Sequence, residues 1–257
     1  MLLQGNTILI TGGGSGIGLA LAEEFKKLGN TVIIANRSSA KLEQAAKLGY
    51  KTYQMDMADR SSIESQAKKI LSDFPELNGV IHSAGIMKTE SLLSAPSAEI
   101  QNETIAINLL GPMALNNLLI PDFRKKDSFI MTVSSGLAFI PLAMYPAYCA
   151  SKAAIHSYSE SLRYQLKDTS IQVVELAPPY VQTELTGKDQ ASDPMAMPLA
   201  DFISEVMQIL KENPEVQEVL VKNVEPLRFA ESNGMEKYRG FFQQMNDGFT
   251  TARAGVF

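Results

Sequence analysis

Tyr148, Ser151 and Lys152 fall within the run Tyr148-Cys149-Ala150-Ser151-Lys152, and Ser135 stands thirteen residues before the tyrosine. On a helix, residues four apart share a face, so the phenol and the ammonium would look into the same cleft. A nearby cation favours phenolate, so Lys152 is expected to draw the Tyr148 pKa below its reference of about 10. A phenol tuned that way gives a proton to a carbonyl oxygen, or takes one from an alcohol, near neutral pH. An exposed helix carrying an ordinary Tyr and Lys has the same spacing, so a second signal has to decide.

That signal lies near the amino terminus. The apolar run Thr7-Ile8-Leu9-Ile10 leads into Thr11-Gly12-Gly13-Gly14-Ser15-Gly16-Ile17-Gly18, and Leu19 through Phe25 then carry apolar residues at helical spacing. Strand, glycine turn and helix come in the order that sets a helix amino terminus against a pyrophosphate. Glycine serves where the backbone must turn sharply and approach the phosphates. Candidate cofactor contacts here are Gly12, Gly14, Ser15, Gly16, Ile17 and Gly18.

Together these motifs resemble the classical short-chain dehydrogenase/reductase family, over roughly residues 5 to 222. In overall pattern the chain is similar to bacterial reductases of that family. The glycine turn has the family's Thr-Gly-x-x-x-Gly-x-Gly form. Further matches follow from the resemblance. Asp56 and Met57 fall where an acidic residue meets adenine. His82-Ser83-Ala84-Gly85 stands where the family reads Asn-Asn-Ala-Gly, so Ala84 and Gly85 keep their backbone contacts while side-chain bonds across the sheet are in question. Asn108 matches the asparagine that holds a water beside the lysine, and Ser135 the serine that bonds the substrate oxygen. Pro178-Pro179-Tyr180-Val181-Gln182-Thr183 matches a Pro-Gly-x-Val-x-Thr segment at the nicotinamide, with Pro178, Val181 and Thr183 retained and a stiffer Pro179 in place of glycine.

The implied reaction is hydride transfer between a nicotinamide and a carbonyl or alcohol. Tyr148 would be the general acid/base, Ser135 would steady the oxyanion, and Lys152 would also bond the nicotinamide ribose. Asn108 would anchor a proton-resupplying water chain. Thr31–Asn36 reads as the second strand, and Asn36-Arg37 stands where an acid would select the 2′-hydroxyl of NAD. A neutral asparagine followed by a guanidinium favours the 2′-phosphate of NADP, with NAD as the alternative. No second basic residue stands in the glycine loop itself.

The resemblance implies a Rossmann-type doubly wound α/β fold, with about seven parallel strands in the order 3-2-1-4-5-6-7 and helices on both faces. Strands are predicted at Thr7–Thr11, Thr31–Asn36, Lys51–Gln54, Gly79–Ser83, Ser128–Val133, Ile171–Leu176 and Val216–Val221. The 257 residues, 45% of them hydrophobic, suit one domain over 1–257. A net charge of −5 argues against nucleic acid as a partner. No run approaches ~20 uninterrupted apolar residues, the start lacks a basic n-region, and Cys149 is the one cysteine. These fit a cytoplasmic protein without membrane contact or a bound metal. A homodimer or homotetramer acting on a small carbonyl or alcohol is what the family implies.

Two regions exceed a minimal member. Residues about 184–212 read as a substrate lid, in which Met195 and Met197 could line an apolar pocket or equally pack the lid on the body. After about residue 223 an extension to 257 carries Met235, Tyr238, Phe242, Met245 and Phe249 on one helical face. It could cover the chain's own cleft, cross a subunit interface or close the core, and the first two are favoured. A non-catalytic cofactor sensor is a competing reading, weakened because Asn108, Ser135, Tyr148 and Lys152 are all present. A nucleotide-sugar epimerase or dehydratase is a third, disfavoured by the glycine spacing.

Overall fold

The computed structural model describes residues 2–93 and 98–252. Every residue of β1 (Thr7–Thr11) is buried, with Ile8 and Ile10 in one core cluster and Leu9 in another. A strand covered on both faces reads as a continuous apolar run rather than an alternation. The glycine turn delivers the chain into α1 (Gly16–Lys27), whose Leu21, Ala22 and Phe25 are buried on the first of those clusters. β2 (Thr31–Asn36) then returns beside β1. Ser38 accepts from the Lys41 N–H at 3.4 Å to start α2 (Ser39–Lys47), which leads to β3 (Lys51–Gln54). Asp59 caps α3 (Arg60–Asp73) through the Ser61 N–H at 2.8 Å, and β4 (Gly79–His82) follows on the far side of β1.

A long helical run comes next: α4 (Ala98–Ile105), a π-helical turn over Ala106–Leu110, and α5 (Gly111–Phe123). By length and composition this run could cross a membrane. Here Leu115, Leu119 and Phe123 are fully buried against the second face of the sheet. β5 (Ser128–Val133), α6 (Pro146–Leu166), β6 (Ile171–Leu176), α7 (Leu199–Glu212) and β7 (Glu218–Val219) complete the winding. A short α8 (Glu225–Arg228) and α9 (Met235–Ala252) end the described chain.

The sheet is parallel throughout, in the order β3-β2-β1-β4-β5-β6-β7, as the resemblance implies. α1, α2 and α7 pack in one core cluster and α3, α5 and α6 in the other, which is the doubly wound α/β arrangement. Five strands coincide with the sequence expectation. β4 stops one residue early, at His82. β7 shrinks from the expected 216–221 to Glu218–Val219, because as an edge strand it pairs only with Glu175 and Leu176 of β6.

The region read as a lid has two parts. Phe202, Ile203, Val206 and Leu210 of α7 are buried in the same cluster as α1, so this half is a structural layer. Residues 184–198 hold a 3-10 turn at Lys188–Ser192 and a parallel bridge between Val181 and Met197. Met195 is 83% exposed and Met197 packs on the core, so neither lines a pocket.

Candidate active site

The carboxyl ends of the strands open into a cleft of about 800 Å³, at the switch point where β1 is flanked by β2 and β4. Gly12, Ser15, Gly16, Ile17, Arg37, Asp56, Met57, Ala84 and Gly85 line it towards the first strands. Ser135, Tyr148, Lys152, Pro178, Val181 and Thr183 line the other end. Gly14, Gly18 and Asn108 lie behind that lining.

The glycines are needed for close approach. Gly12 has φ +69, and a Cβ there would sit 2.6 Å from the Ala84 Cα. A Cβ on Gly18 would fall 2.7 Å from the Gly12 carbonyl oxygen, so α1 rests directly on the turn. Gly14 packs against Lys41 and Asn36. The first helical bond of α1 runs from the Leu19 N–H to the Ser15 carbonyl at 3.2 Å. The N–H groups of Gly16, Ile17 and Gly18 therefore stand at the open helix terminus beside the cleft.

α6 presents Tyr148 and Lys152, the residues expected from the sequence to move protons. Tyr148 stands beside Ser135, whose hydroxyl works to lower the phenol's pKa and accepts from the Leu137 N–H at 3.1 Å. The Ser135 loop is tied to the next strand end by the Gly136 N–H donating to the Pro178 carbonyl at 2.8 Å. Lys152 donates to the Val133 carbonyl at 2.7 Å and lies 5.6 Å from the Tyr148 ring centroid. Burial pulls the Lys152 ammonium down to about 8, against the opposing charge of Glu175. Burial also pushes the Tyr148 phenol up to about 12, with the Ser135 hydroxyl opposing. That direction is opposite to the lowering expected from Lys152, and its main cause is desolvation of the phenolate.

Asn108 sits in the π turn, a distortion common at functional sites. Its Oδ1 accepts from the Ile86 N–H at 2.9 Å, and its Nδ2 donates to the Ile86 carbonyl and to Ser151 Oγ, both at 3.0 Å. Ser151 in turn donates to the Tyr148 carbonyl at 2.7 Å. The asparagine side chain is thereby spent on joining the π turn to α6. A Cβ on Gly85 would come 3.4 Å from Asn108 Oδ1 and 3.8 Å from Lys152 Nζ, so the missing side chain keeps that corner open.

His82 replaces the side-chain bonds in question where the family reads asparagine. Its Nε2 lies 2.8 Å from Asn116 Oδ1, and Asn116 Nδ2 donates to the Tyr158 hydroxyl at 3.3 Å. Complete burial depresses the imidazole to about 4, so it is neutral. Cys149, pushed up to about 11 by burial, donates to the Leu142 carbonyl at 3.6 Å and is a packed thiol.

Several site residues escaped the sequence reading. Lys41 of α2 donates to Ser15 Oγ at 2.8 Å, supplying the second basic group absent from the loop itself. It stands in the first turn of α2, three residues after the cap Ser38. Arg37 is itself held, 3.3 Å from Glu103 and 4.0 Å from Asp56, while Lys88 bonds Glu103 at 2.6 Å. Those bonds, Lys88 first, keep the Glu103 carboxyl below its ordinary pKa. Gln190, buried, donates to the Val181 carbonyl at 2.8 Å and to Thr183 Oγ1 at 3.1 Å, fastening the 3-10 turn to the strand end. Met245 and Phe249, by contrast, were named from the sequence on the apolar face of the extension, and they reach the cleft from α9.

A doubly wound sheet, a glycine turn against an open helix terminus, and a Ser-Tyr-Lys cluster facing the same cleft define a nicotinamide-dependent oxidoreductase of the short-chain type. The chain belongs to the short-chain dehydrogenase family, whose model matches residues 6–194, and it is an NAD(P)-dependent short-chain dehydrogenase. It is 40% identical to the oxidoreductase DltE of Bacillus subtilis (strain 168) over 259 aligned positions, 96% of this chain and 98% of the relative. Among solved structures, a short chain dehydrogenase from Burkholderia cenocepacia J2315 in complex with NADP superposes with TM-score 0.81 at 19% identity, covering 94% of this chain and 99% of that one. A 3-ketoacyl-(acyl-carrier-protein) reductase from Brucella melitensis complexed with NADH gives TM-score 0.76 at 25% identity, covering 87% and 100%. The residues fit a dinucleotide: the turn leaves no room for a Cβ at Gly12, and three N–H groups of α1 await an anion.

Proposed function

We propose that the chain is an NADP-preferring carbonyl reductase in which Tyr148 is the general acid. The observation that carries this reading is the convergence of Ser135, Tyr148 and the buried Lys152 on one cleft, with the ammonium 5.6 Å from the Tyr148 ring centroid. Bound nicotinamide supplies the hydride chemistry. A carbonyl oxygen seated between the two hydroxyls would take the Tyr148 proton, with the Ser135 hydroxyl stabilising its developing charge. The Lys152 ammonium would offset the resulting phenolate. Asn108 and Ser151 act as positioning residues, bracing α6 through the Tyr148 carbonyl.

The cofactor end supports NADP. Asn36 is neutral, and Arg37 and Lys41 both border the pocket beside it. One observation favours the second reading, an NAD-dependent alcohol dehydrogenase: Glu103 and Asp56 already hold Arg37, and a 2′-phosphate has to displace them. Asp56 and Met57 would border the adenine, Ala84, Gly85 and Lys152 the nicotinamide ribose, and Pro178, Val181 and Thr183 the carboxamide. We infer a homodimer or homotetramer, supported by the exposed Leu110 and Tyr164 beside and on the helices that flank the site. A cytoplasmic setting agrees with the buried reduced Cys149.

NADPH emission titrations of wild type and Arg37→Ala, alongside NADH, test the cofactor reading. About tenfold weaker NADPH binding in the variant, with NADH unchanged, is expected from loss of one charge-assisted contact. Equal binding of both cofactors by the wild type would refute the preference. Tyr148→Phe should bind NADPH normally and lose turnover; a variant that still reduces ketones would refute the acid assignment.

A further inference from the structure

α9 fastens onto the substrate end of the cleft while being hardly buried itself. None of its described residues is fully buried, and Gly240 and Gly248 within it face open space. Gly234, at φ +92, turns the chain into it. Contact with the body is concentrated at one turn. Asn246 Oδ1 accepts from the Ala143 N–H at 2.6 Å, and its Nδ2 donates to the Pro141 carbonyl at 3.2 Å. On either side of that fastening, Met245 and Phe249 pack against the cluster of Leu142, Met144, Tyr145, Tyr148 and Cys149. Phe249 also meets Tyr180 edge-on, with centroids 6.2 Å apart.

The charges around the cleft point the same way. Its basic side chains among the described residues already have partners: Arg37 and Lys88 on Glu103, Lys41 on Ser15, and Lys152 on the Val133 carbonyl. Arg37, Lys41 and Lys88 are held by groups of the cofactor half. Among the described residues no cation is left to meet a substrate carboxylate or phosphate beside Phe249, and an anion seated against them would lose hydration without compensation. Leu137, Leu142, Leu185, Leu227, Met245 and Phe249 would instead reward apolar length.

We propose that α9 is the substrate-selecting wall of its own chain's cleft, with Met245 and Phe249 gripping the apolar body of a neutral ketone or secondary alcohol. This rests on the carbonyl-reductase reading above. Asn246 is the positioning residue that holds the wall to the 141–143 segment, next to the helix that carries Tyr148.

The test is calorimetric binding of 2-butanol, 2-hexanol, 2-octanol and 2-decanol to the NADP-loaded full chain, with 2-hydroxyoctanoate as the charged counterpart. Wild type, Met245→Ala, Phe249→Ala and Asn246→Ala are compared. Affinity in the wild type is expected to rise about fourfold per added methylene until the wall is reached, with the hydroxy acid at least tenfold weaker than 2-octanol. The Phe249 and Met245 variants should flatten that slope and the Asn246 variant should weaken the long alcohols, all with NADP affinity unchanged. An unaltered slope in the variants, or preference for the hydroxy acid, overturns the proposal. So does a fall in molar mass by light scattering on Phe249→Ala, which would assign the helix to a subunit interface. Length-dependent binding without turnover of the matching ketones would refute the enzyme reading and uphold the wall. A wild type that binds no NADP refutes the reading beneath the proposal, and the proposal with it, before any alcohol is added.

Discussion

Replacing Lys152 with methionine should stabilise the protein while abolishing its chemistry. The ammonium is buried, and its drop from 10.5 to about 8 is caused chiefly by desolvation. At about 1.4 kcal/mol for each tenfold loss of proton affinity, that fall corresponds to roughly 3 kcal/mol of stability forgone below pH 8. Methionine fills a similar volume without a charge, but it forfeits the 2.7 Å bond to the Val133 carbonyl, worth about 1.5–3 kcal/mol as a charge-assisted bond. The net gain is therefore roughly 1 kcal/mol, or about 2–4 °C in melting temperature for a chain of this size. The sign follows from the depressed pKa. Between pH 8 and 10.5 the unfolded chain binds a proton that the folded one releases, so wild-type stability rises with pH and the variant's advantage shrinks. Circular-dichroism melts of both proteins from pH 6 to 10, with ketone reduction measured in parallel, check this. A variant that melts lower at pH 7, or a gap that widens towards pH 10, would refute the argument that burial dominates this lysine.

Glu103→Gln should tighten NADPH binding up to about fivefold, since a half-exposed ion pair on Arg37 worth at most ~1 kcal/mol no longer competes with phosphate; NADH titration is the control. Glu90, 3% exposed, accepts from the Ala147 N–H at 3.0 Å and so caps α6 from outside that helix. Glu90→Ala should cost about 1 kcal/mol, while Glu90→Gln keeps the acceptor and should melt close to wild type. His156 is raised by its 2.8 Å bond to Glu175. Its stabilisation is present below about pH 6.5 and lost as pH rises through its higher folded value. His156→Gln should therefore melt further below wild type at pH 6 than at pH 9.

What could be read from the sequence is what depends on neighbours along the chain. Thr7–Ile10, the glycine turn and the helix after it form one local unit, and the Tyr148–Lys152 spacing becomes a shared face as soon as α6 forms. Features that come from folding were hidden. The Tyr148 phenol is raised because distant segments bury it. Glu103 reaches Arg37 across sixty-six residues. Asn246 fastens to Pro141 and Ala143 from more than a hundred residues away. Met195 and Met197 were left open between lining a pocket and packing, because composition does not say which side of a turn faces the cleft; Met197 packs. Lys41 reaches the glycine turn only because α2 packs beside it, which the local sequence does not state.

The cleft straddles the point where the chain crosses from β3, at one edge of the sheet, to β4 near its centre. As a result, the glycine turn, Arg37, Lys41 and Asp56 come from the first quarter of the sequence, whereas Ser135, Tyr148, Tyr180, Met245 and Phe249 come from its second half. Selection of the nucleotide and selection of the compound it reacts with are thus encoded in separate stretches of gene. On the proposed roles, exchange of the first sixty codons with those of a relative would replace Arg37 and Lys41 together while leaving Glu103 and the remainder of the cleft in place. Drift in α9 could equally change what the enzyme reduces without touching its coenzyme.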